Sequence, residues 1–362
     1  PSTIAGNTFQ GNIAGHNGDG DGGGIYLAGS SARLLDNLIV DNVASWAGDW
    51  GQGGGLFVDD SEVTIRENTI RANAGGGFVG PPAATTGHGG GMVIWDTLAV
   101  VEDNEIVGNR ATNSPALAVG GGIYVYTSTV RIAHNTIVTN STDHSSYPGY
   151  AGFGGGLYLQ DSLPVLDGNT ITGNEANATD QGRGGGVRLV SCPAFTLTNN
   201  LVSQNSASQL GSGVGVAGGA GWLGHNTIAD NTGGDGSGLY VAGNASGEGT
   251  AMLYGNIIHG HTVGIAIEPA HAGTVTAHYT LFEANATDYG AEVTSLDEIP
   301  PPALLLADYH LSLGSSAIDR VPPLAWVTLD IDGDPRPNGP GSDAGADEAL
   351  LMRVYLPLIL RQ

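Results

Sequence analysis

Lysine is absent from this chain, and its eleven basic residues, all arginine, face 35 acidic residues. The formal net charge of −24 argues against nucleic acid or an anionic membrane surface as partner, because both are bound through basic patches. The single cysteine, Cys192, excludes an internal disulfide and leaves the redox compartment undetermined. No apolar run reaches the roughly 18 residues of a membrane-spanning helix, so none is expected.

Aromatic residues are also scarce, at 6%, whereas glycine accounts for 61 of the 362 residues. Glycine in a helix interior costs about 1 kcal/mol relative to alanine, so this composition disfavours helices. The hydrophobic content of 40% nevertheless suffices for a continuous core. Length alone suggests two domains, but an internal repeat overrides that rule.

One phrase recurs along the chain: three glycines, an aliphatic residue, a variable residue, a second aliphatic residue and, further on, Asn-x-Ile-x-x-Asn. Its copies are spaced by 23 to 36 residues, which is typical of one solenoid turn with its loops. The first asparagine of the phrase is Asn7, Asn37, Asn68, Asn104, Asn135, Asn169, Asn200, Asn226 or Asn256, and Tyr279 takes its place in a tenth copy. Pro1 already lies inside the pattern, which favours an export signal that has been removed.

Within each copy the fixed aliphatic positions flank the variable one, as Ile123 and Val125 flank Tyr124. This alternation predicts a strand whose fixed side chains face a core and whose variable side chain faces outward. Two further short strands follow in each copy, around the asparagine. We therefore predict an all-β fold, a right-handed parallel β-helix (a solenoid) of about ten three-strand coils over residues 1–290. An irregular closing segment at 291–349 and an apolar, strand-like tail at 350–362 would follow it.

The asparagines form two columns in this arrangement. The second column contains Asn12, Asn42, Asn73, Asn109, Asn140, Asn174, Asn205 and Asn231. Stacked asparagine side chains can hydrogen-bond along the axis and satisfy turn backbone that would otherwise be buried without a partner. We therefore predict a structural asparagine ladder at each column.

The repeats resemble the bacterial right-handed parallel β-helix proteins of the pectate-lyase-like superfamily over residues 1 to about 290. Residues 309–311 (Tyr-His-Leu), 317–319 (Ala-Ile-Asp), 332–336 (Asp-Gly-Asp-Pro-Arg) and 343–348 (Asp-Ala-Gly-Ala-Asp-Glu) resemble the closing segment of surface β-helix proteins of the choice-of-anchor type. Residues 354–361 are similar to the tails of exported proteins from the Chloroflexi. These resemblances imply an extracellular, cell-surface protein, and they name no reaction.

Relatives of this fold include polysaccharide lyases, which use arginine or lysine as the base, and pectin hydrolases, which use an Asp pair, Gly-His-Gly and Arg-x-Lys. Arg188 is the only arginine at the variable position of the glycine-led strands, and we interpret it as a surface residue that offsets acidity. Asp59-Asp60 and residues 87–89 (Gly-His-Gly) match part of the hydrolase set, but the Arg-x-Lys element is missing. No convincing catalytic constellation is present, and we favour a protein that is not an enzyme.

Three acids alternate with short spacers near the C-terminus, namely Asp330, Asp332 and Asp334. Oxygen ligands at this spacing can gather Ca²⁺, while Asp-Gly is also common turn chemistry. We predict that they order a turn, with Ca²⁺ as the one cofactor to be tested.

Long insertions precede the glycines at 43–52, 74–88 and 141–153 and should project from one side of the rod. They carry the candidate sugar-stacking residues Trp46, Trp50, Tyr147, Tyr150 and Phe153. Packing of these aromatic rings on the sheet beneath is the alternative that we favour.

Four asparagines begin Asn-x-Ser/Thr sequons and are predicted glycosylation sites in an exported protein: Asn140, Asn177, Asn244 and Asn285. Asn140 also stands in the second asparagine column, where its amide has a structural role.

Two functional interpretations stay open. In the first, the protein is an extracellular or cell-surface structural or adhesive β-helix that assembles head to tail into filaments. Ile4 then lies in an open first coil, and the tail of a neighbour pairs with that coil by strand addition. The tail residues concerned are Val354, Tyr355, Leu356, Leu358 and Leu360, and folding back as a cap is their alternative role. In the second interpretation the partner is an extracellular polysaccharide, which the protein binds or degrades.

Overall fold

A computed structural model describes residues 1–77, 86–112, 117–142, 151–176, 181–268 and 273–350. These residues form short parallel strands stacked coil on coil, and among them there is no helix. Each strand residue pairs with its equivalent one coil further on, as Leu56 pairs with Met92 and Met92 with Ile123. Strands in such a ladder lie about 4.8 Å apart, so ten coils give a rod of about 50 Å. The predicted all-β parallel β-helix is confirmed.

Three faces of the coil correspond to the three predicted strands. The first face contains the glycine-led strands Ile25–Ala28, Leu56–Asp59, Met92–Trp95, Ile123–Tyr126, Leu157–Gln160, Ser237–Ala242, Val263–Ile267 and Thr287–Tyr289. The second face contains Ser2–Ala5, Ser31–Leu35, Glu62–Arg66, Leu98–Glu102, Thr129–Ala133, Leu163–Asp167, Gly249–Tyr254, Gly273–His278 and Val293–Leu296. Two long strands, Val187–Thr198 and Val214–Gly224, run through both of these faces. The third face contains Thr8–Gln10, Leu38–Val40, Thr69–Arg71, Glu105–Val107, Thr136–Val138, Thr170–Thr172, Leu201–Ser203, Thr227–Ala229, Ile257–His259 and Leu281–Glu283.

The insertions add strands that the sequence pattern did not predict. A fourth set contains Ile13–Gly15, Val43–Ser45, Ala74–Gly76, Arg110–Thr112, Glu175–Ala176 and Ser206–Ala207. A fifth set, which we call the side wall, contains Gly20–Asp21, Trp50–Gln52, Thr86–His88, Ala118–Val119, Ala151–Phe153 and Gln181–Arg183. The side-wall strands also pair in parallel from coil to coil, so the loops continue the stacking of the coils.

The core runs along the axis and is made by the fixed aliphatic positions. Ile123, Val125, Ile132 and Ile137 illustrate one coil, and each has 0% of its surface exposed. Burial of an aliphatic side chain of this size stabilises a fold by about 1.5–3 kcal/mol, and the same set recurs in each coil. The predicted inward positions are confirmed.

Both asparagine ladders are present. Asn104 Nδ2 donates to Asn135 Oδ1 at 2.9 Å and to the Ile65 carbonyl at 2.8 Å, and Asn104 N also donates to Asn135 Oδ1. The residue before each ladder asparagine has a left-handed backbone, as at Asp103 with φ of 55°. The side chain therefore satisfies the backbone of a turn that costs strain.

One position of the first column differs from the prediction. Ile257 pairs with Leu281, so Thr280 takes the place of the asparagine in the tenth coil. Tyr279, which was expected there, is instead the residue with the left-handed backbone, with φ of 48°.

The glycine triplets form the corner at which the side wall joins the first face. Gly120 has a φ of +61°, and a Cβ at Gly121 would lie 2.4 Å from the Gly155 carbonyl oxygen. Larger residues are therefore excluded by backbone conformation at one position and by the adjacent coil at the next.

The closing segment returns along the flank of the rod, where Ile299, Ala303 and Val321 pack on Ile257 and Leu281. Its centre is the Arg336 guanidinium, which lies 3.3 Å from Glu348 Oε2 with both side chains at most 1% exposed. No helix in the described part of the chain has the length and apolar character needed to cross a membrane.

Candidate functional site

The variable positions of the first face lie outside the main core, as predicted, but most of them are covered. Tyr26 is 52% exposed, whereas Tyr124 is only 5% and Tyr158 only 8% exposed. Val119 and Phe153 of the side wall pack against these tyrosines in a second apolar cluster. The outward-facing side chain of Tyr124 is therefore not exposed to solvent, because the side wall buries this part of the column.

Arg188 occupies the same column and is buried too, so its assignment as a surface residue is wrong. It pairs with Tyr158 on one side and with Gly215 on the other, and Tyr240 follows Gly215. A Cβ at Gly215 would lie 2.8 Å from Arg188 Nη1 and 3.2 Å from its Cδ. The arginine side chain thus extends over Gly215 towards Tyr240, in space that the glycine leaves free.

The Arg188 guanidinium is a buried cation, and no carboxylate of a described residue lies within 4.0 Å of it. The residue is 6% exposed, and Nη1 has no hydrogen-bond partner among the described residues. Burial, with a smaller contribution from the charge of Arg183, lowers the pKa of Arg188 to about 10. The group therefore keeps its positive charge at neutral pH, although burial shields it from most of the bulk solvent.

A pocket of about 410 Å³, which we call the Arg188 pocket, opens beside this guanidinium. Tyr158 Oη donates to Gln160 Oε1 at 3.2 Å, and Tyr240 Oη donates to Glu268 Oε2. Burial raises the pKa of Tyr158 to about 12, so this phenol stays protonated at neutral pH. The lining residues are Phe153, Tyr158, Arg183, Arg188, Val190, Ala217, Tyr240, Ala242, Gly243, Asn244 and Glu268.

Two further lining residues, Arg183 and Asn244, are held in place by hydrogen bonds to neighbouring residues. Arg183 Nε donates to Gln209 Oε1 at 2.7 Å. Asn244 Nδ2 donates to Ser191 Oγ at 2.9 Å and to the Ala217 carbonyl. The site combines a fixed cation, phenol hydroxyls and aromatic surface, which is an arrangement suited to binding an anion attached to an apolar or sugar framework.

The predicted aromatic shelf is divided between two places. Phe153 lines the Arg188 pocket, while the ring of Trp50 packs edge-on against His88 at 4.7 Å between centroids. Trp46 stacks on His16 at 6.3 Å. Phe153 occupies the side-wall position equivalent to that of Gln52, three coils further on. These two positions are therefore about 14 Å apart. Tyr147 and Tyr150 lie outside the described residues.

The partial hydrolase motif does not place its histidine in an open site. His88 is 6% exposed, and its ring lies between Trp50 and Tyr124. Neither ring nitrogen has a hydrogen-bond partner in the described part of the chain. Burial lowers the pKa of His88 to about 4, so the ring is neutral at physiological pH and packs as an aromatic residue.

The structure gives the three C-terminal acids different roles. Asp330 is buried, and its carboxylate accepts from the backbone N–H groups of Asp332, Asp334 and Glu348 at 2.8–3.0 Å. It thus orders the turn through its own oxygens. Asp332 points elsewhere, with Oδ2 at 2.7 Å from His310 Nε2. Calcium binding by the three acids stays a prediction.

In two of the sequon asparagines, the side-chain amide nitrogen already donates two hydrogen bonds. Asn140 is fully buried in the second ladder, where Nδ2 donates to Asn174 Oδ1 and the Ile106 carbonyl. Asn285 Nδ2 donates to the Ile258 carbonyl and to Asp288 Oδ1. A glycan on either nitrogen would displace these hydrogen bonds. Asn244 is a lining residue of the Arg188 pocket, and Asn177 lies outside the described residues.

The predicted assembly residues are only partly described. Ile4 is half-buried on the strand Ser2–Ala5, which pairs with Ser31–Leu35. Val354, Tyr355, Leu356, Leu358 and Leu360 lie outside the described residues. Head-to-tail assembly stays a prediction.

Comparison with known proteins identifies the fold family. The model of the right-handed β-helix region matches residues 2–183 and, in an overlapping second match, residues 102–247. These matches cover more than half of the chain, and the protein belongs to the right-handed β-helix family. No curated protein is significantly similar to it. Family membership confirms the handedness of the coil and specifies neither a ligand nor a reaction.

Sequence reasoning found Arg188 but not its pocket. The signal was present in the register, because a glycine directly follows the only arginine of the column. Because glycine has no side chain, the long arginine side chain in the adjacent coil is predicted to lie flat over it. The covering side wall carried no comparable signal.

Proposed function

We propose that this protein is an extracellular, adhesive β-helix that binds an acidic polysaccharide through the Arg188 pocket. The observation that carries the proposal is the buried guanidinium whose Nη1 lacks a partner. A buried charge without compensation costs several kcal/mol, which a bound anion would offset.

The chemistry of the pocket favours a carboxylate as that anion. Guanidinium and carboxylate groups are complementary planar partners and form short, charge-assisted hydrogen bonds. Arg183 lines the same pocket and adds a second positive charge, so the two arginines outweigh the one carboxylate of the lining, Glu268. In polysaccharides, carboxylates of this kind belong to uronic acids.

The shape of the pocket supports a sugar as the carrier of the carboxylate. Its volume of about 410 Å³ falls within the range of ordinary small-ligand pockets. Phe153 and Tyr158 offer aromatic surface, against which the C–H face of a sugar ring can pack. The Tyr240 hydroxyl donates to Glu268, so its oxygen can accept from a sugar hydroxyl. A pocket of this size accommodates a chain end or a short branch.

The net charge of −24 opposes a polyanion at long range but not within the pocket. Charges on the protein surface are screened beyond about 8 Å at physiological ionic strength, whereas a buried ion pair is screened much less. Binding should therefore persist at physiological salt, where the general repulsion is weakened more than the contact with Arg188.

The test is calorimetric titration of the intact protein with an oligogalacturonate and with a neutral oligosaccharide of the same length. We expect the acidic ligand alone to bind, and Arg188→Met to weaken binding at least tenfold, because the variant keeps the bulk of the side chain and loses its charge. Arg33→Met, at an exposed position of the second face, is the matched control and should bind like the native protein.

Equal affinity for the two ligands, or an Arg188→Met variant that binds normally, would contradict the proposal. The same samples show whether the ligand is cleaved, by the ultraviolet absorbance of unsaturated products. We expect no cleavage, because a guanidinium with a pKa of about 10 is protonated at neutral pH and is a poor general base.

A further inference from the structure

We propose that the closing segment holds a Zn²⁺ ion at a site made by His310, Asp332 and Asp347. One ligand atom of each residue lies within 4.8 Å of the others. The three residues come from three separate stretches of the closing segment, so their convergence is produced by the fold rather than by sequence proximity.

The ligand atoms of the three side chains are already close to the separations that metal coordination requires. His310 Nε2 and Asp332 Oδ2 are already 2.7 Å apart. Ligand atoms at about 2.1 Å from one Zn²⁺ ion lie roughly 3 to 4 Å from each other. Rotation of Asp332, whose side chain is 49% exposed, together with a shift of His310 or Asp347 by about 1 Å, would bring the set to that geometry.

The burial of Asp347 is a second observation that supports a cation at this site. It is 9% exposed, and no side-chain nitrogen of a described arginine or histidine lies within 4.0 Å of its carboxylate. Among the described residues its hydrogen-bond donor is the Leu311 N–H, which donates to Oδ2 at 2.6 Å. A buried carboxylate without a direct ion-pair partner is costly, and a metal ion would provide that partner.

A further carboxylate lies beside the other nitrogen of the His310 ring, within ion-pair distance but outside hydrogen-bond geometry. Asp308 Oδ1 lies 3.2 Å from His310 Nδ1, which is the ring nitrogen that faces away from Asp332. Metal-binding histidines usually present their second nitrogen to a carboxylate, which fixes the ring and raises its basicity. Around a neutral imidazole, the three carboxylates carry a charge of about −3, which a divalent ion reduces to about −1.

The donor set favours a transition metal over the Ca²⁺ predicted from the sequence. Imidazole nitrogen suits zinc and its neighbours, whereas Ca²⁺ takes six to eight oxygen ligands. Three protein ligands leave one tetrahedral position, and the site borders a cavity of about 230 Å³ in which water can complete the coordination. His134 also lines this cavity.

The experiment uses the full chain without a histidine tag, stripped with chelator and titrated with ZnCl₂. We expect one equivalent of Zn²⁺ to bind, with a rise in melting temperature. His310→Gln and Asp332→Asn should each weaken binding at least tenfold. Asp334→Asn is the matched control, because it removes a carboxylate from the same turn but outside the set, and it should bind like the native protein.

Cobalt provides a readout that a purely structural role would not change. Co²⁺ at a nitrogen and oxygen site of low coordination number should give visible absorption bands in the native protein and in Asp334→Asn, and none in His310→Gln. Equal Zn²⁺ affinity in all four proteins would place the metal on other carboxylates, and the absence of binding to the native protein would leave His310 as an ion-pair partner of Asp332. Either result overturns the proposal. Circular dichroism establishes that each variant keeps its β-helix.

Discussion

His261 replaces an asparagine in the second ladder. Its Nε2 lies 3.2 Å from Asn231 Nδ2, and its backbone N–H donates to Asn285 Oδ1 at 3.0 Å. The column thus continues past Asn231, where the sequence pattern ended, through a residue that can be protonated. Burial lowers the pKa of His261 to about 4, from an ordinary value of 6.5.

His261→Asn should make the protein more tolerant of acid. Below pH 6.5 the unfolded chain protonates His261 while the folded protein keeps it neutral, so the folded state loses about 1.4 kcal/mol per pH unit until its own pKa is reached. Asparagine removes this loss and fits the column. The measurement is the free energy of unfolding at pH 7 and pH 5.

The comparison with the native protein isolates His261, because the buried His88 and His225 contribute equally to both proteins. His16→Asn, at an exposed position, should leave the pH dependence unchanged. The idea fails if His261→Asn loses as much stability between pH 7 and pH 5 as the native protein does.

At the scale of a strand, one column of side chains passes from solvent into a buried cluster. Tyr26→Asp should cost less than about 1 kcal/mol, because Tyr26 is 52% exposed. Tyr124→Asp should cost several kcal/mol, close to the effect of Ile123→Asp, since each buries a carboxylate without a partner. Denaturant unfolding measures all three. A mild effect at Tyr124 would mean that the side wall does not cover the first face in solution.

The strands that could be predicted are those whose role repeats. Ile123, Val125 and Ile132 were assigned to the core because their equivalents are aliphatic in each coil. Side-wall strands such as Ala118–Val119 are too short to show an alternating pattern, and they are stabilised by pairing with adjacent coils. Their position decides which outward residues are buried, so the environment of Arg188 could not be read from its own strand.

The candidate metal site lay beyond sequence reasoning for a related reason. Asp330, Asp332 and Asp334 were grouped because they are close in sequence. However, Asp330 Oδ1 accepts from the backbone of the turn and Asp330 Oδ2 accepts from the Glu348 N–H. The residues that lie near Asp332 are His310 and Asp347, which are 22 and 15 positions away in the sequence. An irregular segment has no period from which such contacts follow.

At the scale of the whole molecule, one buried arginine holds the closing segment together. The Arg336 guanidinium donates to the carbonyl groups of Asp343, Gly345 and Ala346 and faces Glu348. Arg336→Leu leaves Glu348 buried without its partner, which costs about 3–5 kcal/mol. We expect protease to cut this variant within 297–350 while the coils stay intact.

Mass spectrometry of the fragments locates the cuts. Arg320→Leu removes an exposed arginine from the same segment and should leave the native resistance unchanged. Cleavage spread through the coils in Arg336→Leu would show instead that the rod and the segment unfold as one unit.

The return of the closing segment along the flank has a mechanical consequence. In a simple solenoid each coil touches only its neighbours, so a pull on one coil is resisted by one interface at a time. Here Asn199 Nδ2 donates to the Leu329 carbonyl, and Gly345 N donates to the Gly255 carbonyl two coils further on. The closing segment therefore acts as a strap in parallel with the coil interfaces. Arg188 lies in the coil of Asn199, so tension on a polymer held in the pocket would be shared between the rod and this strap.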